Sequence, residues 1–509
     1  MRDKIYDVIV IGGGMAGAHA AWPLVVAGKE VLMLDGGVMP ASGAYDVSGK
    51  DFETIRRSDN EQHRIFLGEQ VGAALAVIPG ASHSTAMTSG NRSYVSRDTE
   101  THLPLDLQDV QIIQSLAKGG LSEAWGSVCA VFSERELEQT GIPSSDMHRQ
   151  YQDVMDRIGI SGVEPGYRTQ PTAEISSGMR QLFARYQMLS PRKHEGFELK
   201  PALLALLTER LGKREPTSYQ DLDFYRTQET AIYRARYTLE ELEQHKNFHY
   251  TPGQIVNKVE KVGDVQNVLV KDFSGVSAVF HGRRVILAAG AINSNRILLQ
   301  SAEHPAATDI MLKPNYTMAC LDPRRVGEAG ERKRYSLCQL TVDLPSAEGE
   351  SALYANVYTY RSLMLWRLLQ YAPLPVPEAL SLLAGFAPSL VLVDVRFPGS
   401  EGLCELSLGG NGLKIRQKQQ GTAHRTRLPK LKRFLRSLGI IPLHTAALPL
   451  GASVHYAGGI QTHANGEVEN HPGLYVADAS AWKALPAKPS ALTIMANASR
   501  IGEEVLRGL

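Results

Sequence analysis

The stretch that most limits how this chain can fold is Tyr-Asp-Val-Ile-Val-Ile-Gly followed at once by Gly-Gly-Met-Ala-Gly. Val8 to Ile11 is an unbroken β-branched run, the pattern of a strand buried on both faces of a parallel sheet. Gly12, Gly14 and Gly17 then form G-x-G-x-x-G, and Met15 to Ala27 is mostly small and apolar, suited to a helix packed closely on that sheet. Gly12 allows the tight turn, Gly14 lets backbone approach a pyrophosphate, and Gly17 lets helix and strand touch. Unpaired N–H groups at the helix start would face the anion. A second strand, 30 to 34, ends in Asp35, whose carboxylate is placed to accept the hydroxyls of an adenosine ribose. A dinucleotide site is expected. Asp35 disfavours NADP, because a carboxylate repels a 2′-phosphate, and a motif at the start of a chain this long favours FAD over NAD.

The chain has 509 residues, too many for one core, so at least two domains are expected. With 54 basic and 53 acidic residues the net charge is +1, and no long-range field selects nucleic acid. Cys129, Cys320, Cys338 and Cys404 are scattered, which fits a reduced compartment and argues against a structural zinc site or any other metal centre. The first strand begins soon after the initial Met, leaving no room for a signal peptide, so a cytoplasmic location is expected.

Residues 36–110 make a long connection, readable as a lid or as a surface excursion. Residues 116–132 crowd Gly119, Gly120, Ser122, Trp125 and Gly126 into one turn where backbone could come close to a cofactor and Trp125 pack on it. Ser133 and Glu136 form a capping box, and helical patterns follow at 146–158, 179–189 and 201–211. A second strand-glycine-helix joint, 283–301, brings the chain back to the first sheet and makes that domain discontinuous. Between 302 and 440, strand-like segments and the Asn411-Gly412 turn signal predict a second domain on an antiparallel sheet. The apolar stretch 361–388 is broken by Pro373, Pro375, Pro377 and Pro388, so it is not a transmembrane helix. It reads as core helices joined by a proline turn, as a hydrophobic lid, or as a surface that touches membrane. Near the end, 473–477 is a short buried strand with Asp478 at its carboxyl end, and Ser490 is a good N-cap for a last amphipathic helix.

Four blocks together resemble the glucose-methanol-choline family of FAD-dependent oxidoreductases: IGGGMAG with Asp35, GGLSEAW, VILAAGAINSNRILLQS, and the end from VHYAGG through LYVADAS to LTIMANASRI. The GGLSEAWG turn looks most like the pyranose-oxidase branch. In that branch the residue before the Trp is a histidine bonded to flavin; here it is Ala124, which implies non-covalent FAD. The resemblance implies an α/β, Rossmann-like FAD-binding domain in three pieces, 1–135, 231–301 and 441–509. A mainly helical cap segment, 136–230, and an α+β substrate domain, 302–440, complete it. It puts Gly12, Gly14, Met15, Ala16, Gly17 and Asp35 on the ADP half of the cofactor. Gly119, Gly120, Ser122 and Trp125 would approach from the turn, and Val256, Ala289, Gly290 and Ala479 from the later blocks, with Asp478 on the ribityl chain.

His455 matches the family's general base, and a neutral imidazole suits removal of a hydroxyl proton near pH 7. Where the family usually has an Asn or His partner to that base, this chain has Pro489, which has neither a side-chain donor nor an N–H. Lys488 or Ser490 would then substitute by a shifted register, Lys488 also as a cation beside the flavin N1 and C2=O. The expected activity is oxidation of a CH–OH group of a small molecule, a sugar, alcohol or secondary metabolite, to a carbonyl, with oxygen or another acceptor regenerating the flavin. Pro489 and the apolar 361–388 stretch motivate an alternative: C–C or C–N oxidation, cyclisation or elimination on a hydrophobic metabolite.

Overall fold

The computed structural model describes residues 4–40, 90–219, 230–301, 306–328, 337–359, 386–410 and 412–509, with isolated positions in 55–61 and 375–378. The fold is mixed α/β with several sheets. Strand Ile5–Ile11 lies parallel to Val31–Leu34 on one side and to Ser277–Leu287 on the other. Phe248–Thr251 extends the first side and Leu474–Val476 the second, both parallel. Three separate stretches of chain therefore build one parallel layer. Ser277–Leu287 also runs antiparallel to Val265–Asp272, which pairs with Gln254–Val262.

The β-branched strands are buried on both faces, which is why they carry no alternation. On one face Met15–Val26 packs against Ala491–Arg507 through Ala18, Ala20, Leu24, Ala498, Ile501 and Val505. Fully burying each of the larger of these side chains contributes about 1.5–3 kcal/mol. A Cβ on Gly502 would lie 2.3 Å from the carbonyl oxygen of Ala20, so the two helices touch backbone to backbone. The other face packs Ile9 and Ile11 against Val256, Ile297 and Leu298, the latter two from helix Ala291–Gln300.

A six-stranded antiparallel sheet follows, in the order Ile441–Ala447, Asn315–Leu321, Leu390–Arg396, Ser351–Thr359, Leu340–Pro345 and Glu198–Pro201. One face is a core in which Met318, Val393, Val395 and Val342 meet Leu431, Phe434 and Leu435 of helix His424–Ser437.

Three expectations need correcting. The strands of 302–440 divide between two sheets: Ala307–Leu312, Gly402–Gly409 and Gly412–Gln420 belong to a separate five-stranded sheet, which Leu105–Gln108 joins in parallel. Residues 201–211 are not helical; the buried run contains strands Glu198–Pro201 and Leu203–Leu204, an ambiguity that a short apolar run leaves open. The 136–230 segment accordingly supplies helices Met147–Ile158 and Ser177–Met188 but also an edge strand. Most of 36–110 before residue 90, nearly all of 361–388, and Asn411 lie outside the described residues. Among the described residues no helix is long and apolar enough to cross a membrane.

Candidate active site

A cavity of about 470 Å³ runs from the glycine turn to His455 and on to the face of the six-stranded sheet. At its first end the three glycines do different things. Gly12 has φ +100°, and a Cβ there would lie 2.6 Å from the carbonyl oxygen of Ala288. A Cβ on Gly17 would lie 1.8 Å from the Gly12 carbonyl oxygen, so Gly17 sits behind the turn and allows helix and strand to touch. Gly14 has open space where its side chain would be, and as N-cap of Met15–Val26 it offers no side-chain cap. The first-turn N–H groups therefore have no side-chain cap, and Met15 and Ala16 of that turn line the cavity.

Asp35 is half-buried, and desolvation raises its carboxyl above the usual range; its oxygens accept the Gly13 N–H at 3.0 Å and the Tyr250 hydroxyl at 2.7 Å, with the Gly36 and Gly37 N–H groups also directed at them. Tyr250, on Phe248–Thr251, is a partner that sequence reading missed, because that strand pairs with Val31–Leu34 from over 200 residues away.

The turn at 119–125 closes over this end. Gly119 and Gly120 take φ +96° and +60°, and a Cβ on Gly120 would come within 3.3 Å of the Gly14 Cα. Gly119 itself is not on the cavity wall, whereas Gly120, Ser122 and Trp125 are. The Ser122 hydroxyl is already used, donating to the Gly119 carbonyl at 2.6 Å and accepting the Ala235 N–H at 2.9 Å, so it shapes the turn. Trp125 donates its indole N–H to the Tyr233 carbonyl at 2.7 Å, which fixes its ring against the wall. Beneath the turn the buried Glu123 accepts from Tyr94 at 2.8 Å and faces Arg236 at 3.4 Å and Arg234 at 3.7 Å. None of those partners was legible in the sequence.

Val256, Ala289, Gly290, Asp478 and Ala479 line the middle of the cavity. Asp478 needs correcting in detail. One of its oxygens accepts from the Gly290 N–H at 2.9 Å and the Ser294 hydroxyl at 2.5 Å, the other from the Ser480 N–H at 2.9 Å and hydroxyl at 2.6 Å. A carboxylate has about four acceptor positions. All four are occupied, so this side chain ties Gly290 to the 479–481 turn and has nothing left for a ribityl hydroxyl.

His455 stands at the far end. Its Nδ1 is 3.0 Å from the Ser490 hydroxyl, and its Nε2 meets no partner among the described residues. Its carbonyl accepts the Lys313 N–H at 3.2 Å. Burial first, then the charges of Lys313 and Arg396, hold the imidazole well below its ordinary pKa of 6.5. The preceding residue, Val454, has φ +59°, a strained conformation for a β-branched side chain and one found where surrounding structure over-determines the backbone. Ser490 makes no side-chain cap to helix Ala491–Arg507; its hydroxyl goes to the imidazole instead. Pro489 is on the cavity wall. Lys488 is not. Its ammonium turns away to the buried Glu136 at 2.9 Å and the Val131 carbonyl at 3.5 Å, because an uncompensated Glu136 would be costly. Its backbone carbonyl accepts from the buried Lys313 ammonium at 2.6 Å.

Beyond His455 the cavity reaches Asn315, Asn356, Asp394 and Arg396. These escaped sequence reading. The available signal was the alternation in Leu-Val-Leu-Val-Asp-Val-Arg, where valines fill the core and Asp394 and Arg396 necessarily share the opposite face.

No protein-family model matches this chain, and no curated protein matches it. Its three-dimensional structure is similar to the crystal structure of pyridoxine 4-oxidase from Mesorbium loti, with a TM-score of 0.61 over 98% of each chain at 13% identity. The likeness is one of fold. That neighbour lends no support to the pyranose-oxidase branch suggested by the GGLSEAWG turn.

Proposed function

We propose that this chain is an FAD-dependent oxidoreductase of the glucose-methanol-choline type that oxidises a CH–OH group of a small molecule to a carbonyl, with His455 as general base. The observation that carries this reading is the single cavity joining the glycine turn to His455. The residues at the first end fit the cofactor: an open approach at Gly14, uncapped N–H groups behind it, and the Asp35 carboxylate on the cavity wall. FAD would be held there by Gly12, Gly14, Met15, Ala16 and Asp35. Further along, Gly120, Trp125, Val256, Ala289, Gly290 and Ala479 would form its walls. Ala124 offers no atom for a covalent link, so FAD would be dissociable. The Rossmann-like domain assignment, 1–135 with 231–301 and 441–509, belongs to the same proposal. So does a substrate side formed by 136–230 and 302–440.

When bound, FAD supplies the two-electron acceptor. As the carbinol carbon gives up its hydride, Nε2 of His455 takes the hydroxyl proton, which requires the tautomer with the proton on Nδ1. Ser490 Oγ is placed to accept that Nδ1–H. The depressed pKa keeps the ring neutral at pH 7 and so ready to take a proton. Oxygen or another acceptor completes the turnover. That a fold this similar belongs to an enzyme named pyridoxine 4-oxidase supports oxidation chemistry. The polar sheet face beyond His455 favours a polar carbinol over the hydrophobic metabolite of the alternative.

Purified protein carrying FAD should lose its flavin absorbance when an accepted carbinol is added without oxygen. His455→Ala should slow that loss by about 10²–10⁴-fold. An unchanged rate would remove His455 from the mechanism.

A further inference from the structure

We infer that the cavity-facing side of the six-stranded sheet reads hydroxyl groups on an uncharged substrate, through Asn315, Thr317, Asn356 and the Asp394–Arg396 pair. This rests on the CH–OH oxidation proposed above and specifies what the rest of the substrate carries. The residues come from three adjacent strands in register: Thr317 and Asn356 flank Asp394, and Asn315 pairs with Arg396. Strand alternation puts all five on the face opposite the valine core.

Several of their polar atoms are buried and have no partner among the described residues: Asn315 Oδ1, Asn356 Oδ1, Thr317 Oγ and Arg396 Nε. Asn315 and Asn356 are 4% and 1% exposed, so ordinary solvent does not satisfy them. A buried polar group left unpaired is costly, and four on one cavity wall point to a ligand that supplies the missing bonds.

The kind of ligand follows from what is missing. Asp394 is an acceptor, taking the Arg396 Nη2–H at 2.7 Å and the Asn315 amide N–H at 3.4 Å. That contact turns the Asn315 carbonyl oxygen away from Asp394 as an acceptor. Asn356 directs its amide N–H to the Tyr358 hydroxyl at 3.2 Å, leaving a second acceptor. Arg396 Nε offers a donor, and the Thr317 hydroxyl either role. A carboxylate or phosphate has no donor for the two amide oxygens and would meet Asp394. An ammonium has no acceptor for Arg396. The ion pair makes the face neutral overall, so no net charge selects either. A hydroxyl group donates one hydrogen bond and accepts up to two, so two or more of them satisfy the set. Leu337, Leu392 and Leu448 on the surrounding wall suit the hydrocarbon frame that bears them.

Two matched series on the full-length protein with FAD test this. The first is calorimetric binding of 5-methylresorcinol, 3-methylbenzoate and toluene, none of which has a carbinol. The dihydroxy compound is expected to bind at least ~10-fold more tightly than either of the others. In Asn315→Leu and Asn356→Leu the ratio should fall towards one. Thr317→Val, a nearly isosteric change, should lower it ~3-fold or more and serves if the asparagine variants do not fold. Equal or undetectable binding of all three, tighter binding of the benzoate or of toluene, or a ratio unmoved in variants that fold overturns the inference. The second series is anaerobic flavin bleaching by the carbinols 3,5-dihydroxybenzyl alcohol, 3-carboxybenzyl alcohol and benzyl alcohol. Bleaching without the calorimetric preference rejects hydroxyl reading and leaves CH–OH oxidation standing. The preference without bleaching by any carbinol does the reverse.

Discussion

Replacing Ser490 by alanine isolates the contact that the structure puts in place of the missing base partner. The Ser490 hydroxyl is buried, 3.0 Å from His455 Nδ1, and caps nothing. Removing it leaves a buried Nδ1–H without an acceptor, at about 1–3 kcal/mol. The ring can avoid that cost by moving its proton to Nε2, the nitrogen that must be bare to act as base. The productive tautomer is then disfavoured by that same 1–3 kcal/mol, and the rate constant for flavin reduction should fall about 5- to 150-fold. Stability should change by less than ~1 kcal/mol, since the ring escapes by changing tautomer and no helix cap is lost. Stopped-flow reduction under argon, paired with urea unfolding of the same preparations, measures both. A rate within twofold of the parent protein, or a stability loss as large as the rate effect, would refute the reasoning.

The glycine turn makes a paired prediction. Gly14→Ala puts a methyl into open space, so stability should hold within about 0.5 kcal/mol while FAD affinity drops, whereas Gly17→Ala collides with the Gly12 carbonyl and should destabilise by about 1–3 kcal/mol. Chemical unfolding and flavin-fluorescence titration separate the two effects. The acid limb of kcat/KM should lie well below pH 6.5, because the base must be unprotonated and its pKa is depressed. Lys313→Met removes one cause of the depression and should shift that limb upward in a pH–rate profile. His19, buried with its Nε2 2.9 Å from the Tyr233 hydroxyl, is also held well below its ordinary pKa. The unfolded chain therefore binds protons that the folded one does not. Stability present above pH 6.5 should be lost as pH falls, by about 1.4 kcal/mol per pH unit for each such histidine. Urea midpoints at pH 7 and pH 5.5 should show a shallower decline in His19→Gln.

What the sequence disclosed was local. The β-branched run, the glycine spacing and Asp35 sit within about 30 residues; the parts of Gly12 and Gly17 follow from close backbone contacts, and that of Gly14 from the open space beside it. The Ser133–Glu136 capping box is likewise formed by both of its reciprocal hydrogen bonds. What stayed hidden depended on distant pairing. Tyr250 reaches Asp35, and Glu136 takes Lys488, only after strands and helices from opposite parts of the chain are assembled. Asp478 illustrates a different limit: its position at a strand end was readable, but the count of donors around its oxygens was not. Residues 201–211 show that an apolar run of that length does not choose between helix and strand by itself. Asp394 and Arg396 looked like ordinary strand residues until the valines between them were seen to fill a core.

The account depends most on the cavity being a cofactor site that ends at His455. Titrating the full-length protein with FAD and following flavin fluorescence tests that directly. The predicted result is saturation at one FAD per chain, with release of unmodified FAD on denaturation and weakened uptake in Gly14→Ala. No uptake, or uptake that Gly14→Ala leaves untouched, would contradict it.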